Sequence, residues 1–287
     1  MFLAVKNLHK DFIDRERGRR VTVLDNLDLS VTEGEFLCVI GPSGCGKSTF
    51  LNIVAGFQQP DSGEVYFKEQ AINSPGPDRA MVFQDATLFP WLTAQGNVEF
   101  GLRAQGFSHK QRREISDEFL SVVGLKDFSH AYPFELSGGM RQRVSLARAL
   151  ALHPDVLLMD EPFGALDSQT RERLQEELLR IWAQRRITII FVTHNVEEAV
   201  YLGQRVVVFT PRPAQIRADI TLDFAKGLDR VEEHLYNARK TILSELAGTH
   251  EDELNRVYTI QPTVCSINMD ASITKICCQN QPKECKI

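Results

Sequence analysis

An α/β fold is predicted: a parallel sheet with an N-terminal antiparallel β subdomain and an inserted α-helical subdomain. Three observations carry the prediction. Phe36-Leu-Cys-Val-Ile40 is an unbroken apolar run that opens into a glycine-rich turn and then a helical stretch. Further apolar runs follow at Val156 to Met159, Ile187 to Val192 and Val206 to Phe209, with a helix-length segment between the first two. From about 85 to 150 such runs are missing. Strands buried on both faces read as continuous apolar runs, and their alternation with helices signals a parallel sheet.

Taken in order, residues 3–34 alternate apolar and polar positions around a charged interruption, Asp14 to Arg20. Val21, Val23, Leu24, Leu27 and Leu29 then suit half-buried antiparallel strands. Lys47 to Ala55 has helical periodicity and closes at Gly56, a residue suited to a helix end. Asp61-Ser-Gly-Glu followed by Val65 to Phe67 predicts a turn and a short strand. In the helical block, Gly101 to Arg113, Ile115 to Val123 and Gly138 to Leu152 are the predicted helices. A further helix starts near Asp167 or Ser168, with Leu174, Leu178 and Ile181 on one face. Beyond 222, Leu228, Val231, Leu235, Ala238 and Ile242 recur at spacings of three and four, which predicts one amphipathic helix.

The bulk properties are those of a globular chain: 287 residues, 43% hydrophobic and 25% charged. A formal net charge of -5 gives no electrostatic reason to expect nucleic acid as a partner. No stretch approaches the roughly 20 apolar residues that span a bilayer. Met1 to Lys10 lacks the apolar core of a signal peptide, so a cytosolic setting is expected. Cys38 and Cys45 lie in the first hydrophobic unit, and Cys265, Cys277, Cys278 and Cys285 crowd the C-terminus. Adjacent Cys277 and Cys278 form a poor chelate, so free thiols on a flexible tail are expected rather than a zinc site.

Gly41-Pro-Ser-Gly-Cys-Gly-Lys47-Ser48 satisfies G-x-x-x-x-G-K-[ST] and sits between a buried strand and a helix, the context that gives the motif meaning. Gly41, Pro42, Ser43, Gly44, Cys45 and Gly46 supply a turn whose backbone N–H groups curl around phosphate oxygens. The helix begun by Lys47, Ser48 and Thr49 points its positive end at the same charge. Lys47 brings a point charge to the β and γ phosphates, and Ser48 a hydroxyl to Mg²⁺. Val156-Leu-Leu-Met-Asp160-Glu161 runs up a buried strand to two carboxylates at its C-terminal edge, where α/β sheets place ligands. Asp160 is expected to hold Mg²⁺, and Glu161 to orient or deprotonate the water that attacks the γ phosphate. His194 ends another buried strand on the same edge and is expected at the γ phosphate.

With the parallel sheet, the Gly41 to Ser48 motif predicts a fold of the phosphate-loop NTPase (RecA-like) kind, but phosphate loops serve many activities. The deciding string is Leu136-Ser-Gly-Gly-Met-Arg-Gln-Arg143, which resembles the signature segment of the ATP-binding cassette family. The likeness extends over roughly 1–215 and keeps its parts in order: phosphate loop, Gln84, signature, Asp160-Glu161, Gly164-Ala-Leu-Asp167 and His194. It implies a cassette over 1–222 with its helical subdomain at about 85–150; beyond it the change of composition predicts a helical extension over 223–260, and the loss of periodicity a flexible tail over 261–287. It places Phe12 where the family stacks an aromatic ring on adenine, a core phenylalanine being the alternative. Gln84 would touch Mg²⁺ and sense the γ phosphate. Ser137, Gly138 and Gly139 would bind the γ phosphate held by a second subunit, with Asp167 at the same interface. Two glycines opening a helix do make a second anion site. Met140 departs from the commonest signature, which has glutamine there.

Leu88-Phe-Pro-Trp-Leu-Thr-Ala-Gln-Gly-Asn-Val98 and Val206-Val-Val-Phe-Thr-Pro-Arg-Pro213 resemble bacterial importer ATPases for nitrate, sulfonate, taurine and related solutes. The resemblance implies ATP and Mg²⁺ as cofactors and a homodimer or paired cassette subunit. It further implies a permease and, indirectly, a solute-binding protein, with the chain peripheral at the cytoplasmic face of the inner membrane. Phe89, Trp91 and Leu92 would either contact the permease or pack the helical block. Two other readings stand beside it. One is a soluble cassette acting on nucleic acid or ribosomes, against which the single acidic cassette weighs. The other is a regulatory cassette using 214–287.

Overall fold

The computed structural model describes residues 1–14, 18–222 and 232–247. Two strands, β1 (Leu3–Asp14) and β2 (Arg19–Val31), form an antiparallel pair that extends through β4 (Ser62–Phe67) to the two-residue β5 (Gln70–Ala71), in the order β2-β1-β4-β5. The second sheet contains β3 (Phe36–Ile40), β6 (Arg79–Val82), β7 (Val156–Asp160), β8 (Thr188–Thr193), β9 (Arg205–Phe209) and β10 (Ile216–Thr221), in the order β10-β9-β3-β8-β7-β6. All neighbours in it are parallel except β10, which runs antiparallel to β9. Every residue of β3, β7 and β8 is buried, as their apolar runs require.

Helix α1 (Lys47–Val54) buries Phe50, Leu51 and Val54 in a core shared by the two sheets, where Leu3, Leu8 and Leu24 meet Leu37, Val39 and Phe209. The Phe50 ring packs edge-on against Phe209, centroids 5.6 Å apart. The inserted block consists of α2 (Ala94–Ala104), α3 (His109–Val122) and α4 (Gly138–Ala151), with single 3-10 turns at Lys126–Phe128 and Pro133–Glu135. On the sheet's other side, α5 (Ser168–Arg185) buries Leu174, Leu178 and Ile181, and Trp182 donates its indole N–H to Gly34 O at 3.0 Å. Then come α6 (Val196–Leu202) and α7 (Glu232–Ala247).

The structure departs from the sequence reading in several details. Strands β6 and β10 and helix α6 are additional to it. The first two helices of the block divide at Gln105–Ser108, not near 114. Gly101 lies inside α2, where a Cβ would come within 2.5 Å of Leu152 Cδ2, whereas Gly106 takes φ +85 and breaks the chain. Ser108 and Gln111 then cap α3 reciprocally. Of the C-terminal amphipathic helix, Ile242 is buried, and Arg239 pairs with Glu197 at 2.7 Å. Leu228, Val231 and the cysteine tail lie outside the described residues.

Candidate active site

Pairing register brings three strand ends level. Ile40 of β3 pairs with Thr193 of β8, and Val192 pairs with Asp160 of β7. Whatever follows these residues therefore shares one edge: the phosphate loop, Glu161 and His194. They surround a cavity of about 670 Å³ lined by Ser43, Gly44, Gly46, Lys47, Ser48 and Thr49 from the loop, with Gln84, Glu161 and His194 opposite. Phe12 and Arg212 complete its rim.

The loop's shape depends on glycine at Gly44, φ +73, and Gly46, φ +130. A Cβ on Gly46 would stand 2.9 Å from Leu24 Cδ2, so the loop lies directly on β2. Lys47 is 5% exposed, and its ammonium donates to Gly41 O at 2.7 Å and Pro42 O at 3.0 Å. Gly41, Pro42 and Cys45 form the loop but not the cavity lining. The Cys45 side chain is buried in the core, and that burial pushes its thiol pKa up.

Asp160 is 6% exposed. Burial raises its carboxyl pKa, a hydrogen bond with Ser48 opposes that, Glu161's charge adds to it and Lys47's relieves it. A hydroxyl, a buried carboxylate and the amide oxygen of Gln84 are hard oxygen donors, the set that suits Mg²⁺. An added cation would also offset the cost of ionising Asp160. Glu161 holds φ +44, uncommon for a residue with a side chain, and donates its N–H to Val192 O at 2.9 Å. Its Oε2 lies 2.9 Å from His194 Nδ1. A carboxylate only accepts, so Nδ1 donates in this pair.

Phe12 is 39% exposed on the cavity rim opposite Val21, which removes the alternative of a core phenylalanine. Ser137, Gly138, Gly139 and Asp167 do not line this cavity. Ser137 and Gly138 are exposed at the start of α4, and the Ser137 hydroxyl accepts from Met140 N–H at 3.2 Å. Asp167 caps α5, accepting from Thr170 N–H at 3.0 Å, and that bond lowers its carboxyl pKa.

Sequence reasoning missed several supporting residues. Gln142 of α4 is buried and donates to Phe83 O at 3.0 Å, fixing the backbone beside Gln84. Asn97, fully buried, accepts from Phe89 N–H and donates to the carbonyls of Phe89, Leu92 and Thr93. It knits the segment that exposes Trp91, 68% accessible, with Phe89 between Trp91 and Phe100. Arg212 was legible only as part of a Pro-Arg-Pro string.

A glycine loop, an acidic strand end and a histidine meeting at one edge of a parallel sheet place the fold among phosphate-loop nucleotide hydrolases. Comparison with known proteins narrows the class. A family model described as ABC transporter matches residues 24–164. An uncharacterized ABC transporter ATP-binding protein of Methanocaldococcus jannaschii is 50% identical over 244 residues, 85% of this chain and 91% of that one. The nitrate import ATP-binding protein NrtD of Synechocystis sp. is 48% identical over 240 residues, 84% and 90% of the two chains. The bicarbonate transport ATP-binding protein CmpD of Synechococcus elongatus is 45% identical over 261 residues, 88% and 93%. A solved ATP-binding cassette, dimeric and post-hydrolysis with ADP and Pi bound, superimposes with a TM-score of 0.72 at 34% identity over 78% of this chain and all of that one. The chain belongs to the ABC transporter family, as an ATP-binding and ATP-hydrolysing subunit. Among the described residues no helix is long and apolar enough to cross a membrane.

Proposed function

We propose that the chain works as one of two cassettes that close head-to-tail around two ATP and energise a separate permease importing a small anion. The observation that carries the pairing is a division within the chain. One anion-binding helix start, at Lys47, faces the cavity, while the other, at Ser137 to Gly139, stands outside it with Ser137 and Gly138 exposed. A surface used by a second copy explains both. The solved relative that is described as a dimer supports the same arrangement.

Within each site, Lys47 stabilises the charge of the β and γ phosphates. Glu161 takes the proton of the attacking water or orients it, and His194 holds Glu161 and the γ phosphate. Transfer to water then rests on positioning and electrostatics. Mg²⁺, held by Ser48, Gln84 and Asp160, would neutralise phosphate charge when bound. Phe12 stacks on adenine, and Asp167 lies at the pair's interface.

The exposed Trp91 and Phe100, with half-buried Phe89 between them, suit contact with a permease at the cytoplasmic face of the membrane, since clustered surface aromatics mark interfaces. The relatives named for nitrate and bicarbonate support a small anion; its delivery by a solute-binding protein is part of the proposal. Gene deletion followed by uptake assays with nitrate, bicarbonate, sulfonate and taurine tests the proposal. Loss of uptake of one anion, restored by the wild type but not by Lys47→Ala, is expected. Unchanged uptake of all four would overturn the importer reading.

A further inference from the structure

Arg212 stands in the β9–β10 connection, between Pro211 and Pro213, and is fastened from both sides. The connection closes on itself through Thr210 N–H to Gln215 O at 3.0 Å and Thr210 Oγ1 to Pro213 O at 3.0 Å. It is also joined to β2: Ala214 N–H donates to Val23 O at 2.8 Å, and Asp25 N–H to Ala214 O at 3.0 Å. From this platform the guanidinium reaches 168 positions back along the sequence. It donates from Nε at 3.1 Å and Nη2 at 2.6 Å to one acceptor, the carbonyl of Gly44 in the phosphate loop.

That carbonyl shares a peptide plane with the Cys45 N–H. In a trans peptide the two point in opposite directions. Holding Gly44 O therefore fixes the plane of the peptide whose Cys45 N–H donates to Pro42 O at 3.3 Å and closes the turn of the loop. A carbonyl that accepts two charged hydrogen bonds is also more polarised, which strengthens the Cys45 N–H bond to Pro42 O that closes the turn. Gly44 itself sits at φ +73, a conformation that glycine adopts freely and so does not hold by itself. An external clamp is what such a peptide needs.

We infer that Arg212 is a positioning residue of the nucleotide site, which holds the Gly44–Cys45 peptide, and with it the turn of the phosphate loop, in its binding shape. The inference rests on the nucleotide-binding reading of the cavity. A lysine there would keep the charge but lose the two-pronged grip.

The test is titration of the purified full chain with a fluorescent ATP analogue, steady-state hydrolysis, and thermal unfolding without nucleotide, for wild type, Arg212→Ala, Arg212→Lys and Lys47→Ala. Arg212→Ala is expected to weaken binding about tenfold, which is about 1.4 kcal/mol. KM for ATP should rise by more than kcat falls, Arg212→Lys should recover part of the affinity, and both variants should unfold within about 2 °C of wild type on the usual size scaling. Wild-type affinity in Arg212→Ala, with Lys47→Ala impaired, would overturn the inference while leaving the site intact. Lower unfolding temperatures in both Arg212 variants that account for the lost binding would make the residue merely structural and also overturn it. A wild type that binds no nucleotide would remove the site reading itself.

Discussion

Replacing Gly46 with alanine tests how tightly the phosphate loop is fitted to the antiparallel sheet. At φ +130 any side chain is strained, at a cost of about 1–3 kcal/mol. The new Cβ would also meet Leu24 Cδ2 at 2.9 Å, Val23 Cγ1 at 3.0 Å and Val23 O at 3.2 Å. Leu24 is 0% exposed and has no open space to move into, and the Val23 carbonyl is held by the bond from Ala214 N–H. Crowding of this kind adds about 1–3 kcal/mol. A combined loss of about 3 kcal/mol corresponds to a fall of about 6–12 °C in unfolding temperature for a domain of this size. Because Gly46 immediately precedes Lys47, relief of the clash displaces the loop, and ATP affinity should drop at least about tenfold, or about 1.4 kcal/mol. Gly106→Ala is the matched control: φ is +85, but nothing lies within 4 Å of the added Cβ. It should show strain alone, about 1 kcal/mol, with nucleotide affinity unchanged. Thermal unfolding without nucleotide and titration with a fluorescent ATP analogue report both effects. A Gly46→Ala protein that unfolds and binds like wild type would refute the reasoning.

Three further outcomes are expected. Phe12→Ala should weaken ATP binding by about 1–1.5 kcal/mol, the value of a lost ring stack, while Phe12→Trp preserves it; equal affinity for all three proteins in the same titration would return Phe12 to a structural role. His194→Ala should cut hydrolysis at saturating ATP by about 100-fold or more, the range for a positioned proton-handling group, with binding within about threefold, as a turnover assay checks. Glu198 is 7% exposed, and burial raises its carboxyl pKa despite the Thr193 hydroxyl bond at 2.7 Å and the Arg171 charge. A carboxyl with a raised folded-state pKa costs nothing where both states are protonated, and lowers stability as pH rises above its unfolded value. Glu198→Gln should therefore match wild type below about pH 4 and become the more stable protein towards neutrality, measured by unfolding across pH, given an ordinary glutamate pKa near 4.3.

Long-range order was legible where burial on two faces forced apolar runs, as in β3, β7 and β8, and where glycine chemistry fixed the phosphate loop. Strand β6 escaped because Arg79-Ala-Met-Val82 is short and begins with a charge. Helical period alone puts the break between α2 and α3 near 114; Gly106 and the Ser108–Gln111 capping pair mark where it falls. Alternation around Phe12 could not tell a core ring from a rim ring, since that depends on which face of β1 meets the loop. Arg212 could not be found by spacing, because its partner is a backbone carbonyl from another part of the chain. The same holds for Gln142, whose acceptor is Phe83 O.

The central claim, that ATP held on one copy is closed off by a second and hydrolysed through Glu161, is tested most directly with Glu161→Gln. Light scattering and turnover should be measured together in MgATP. The account predicts a protein that binds ATP, accumulates as a dimer and does not turn over, while wild type hydrolyses ATP. A variant that stays monomeric with ATP bound, or hydrolyses at the wild-type rate, would contradict it.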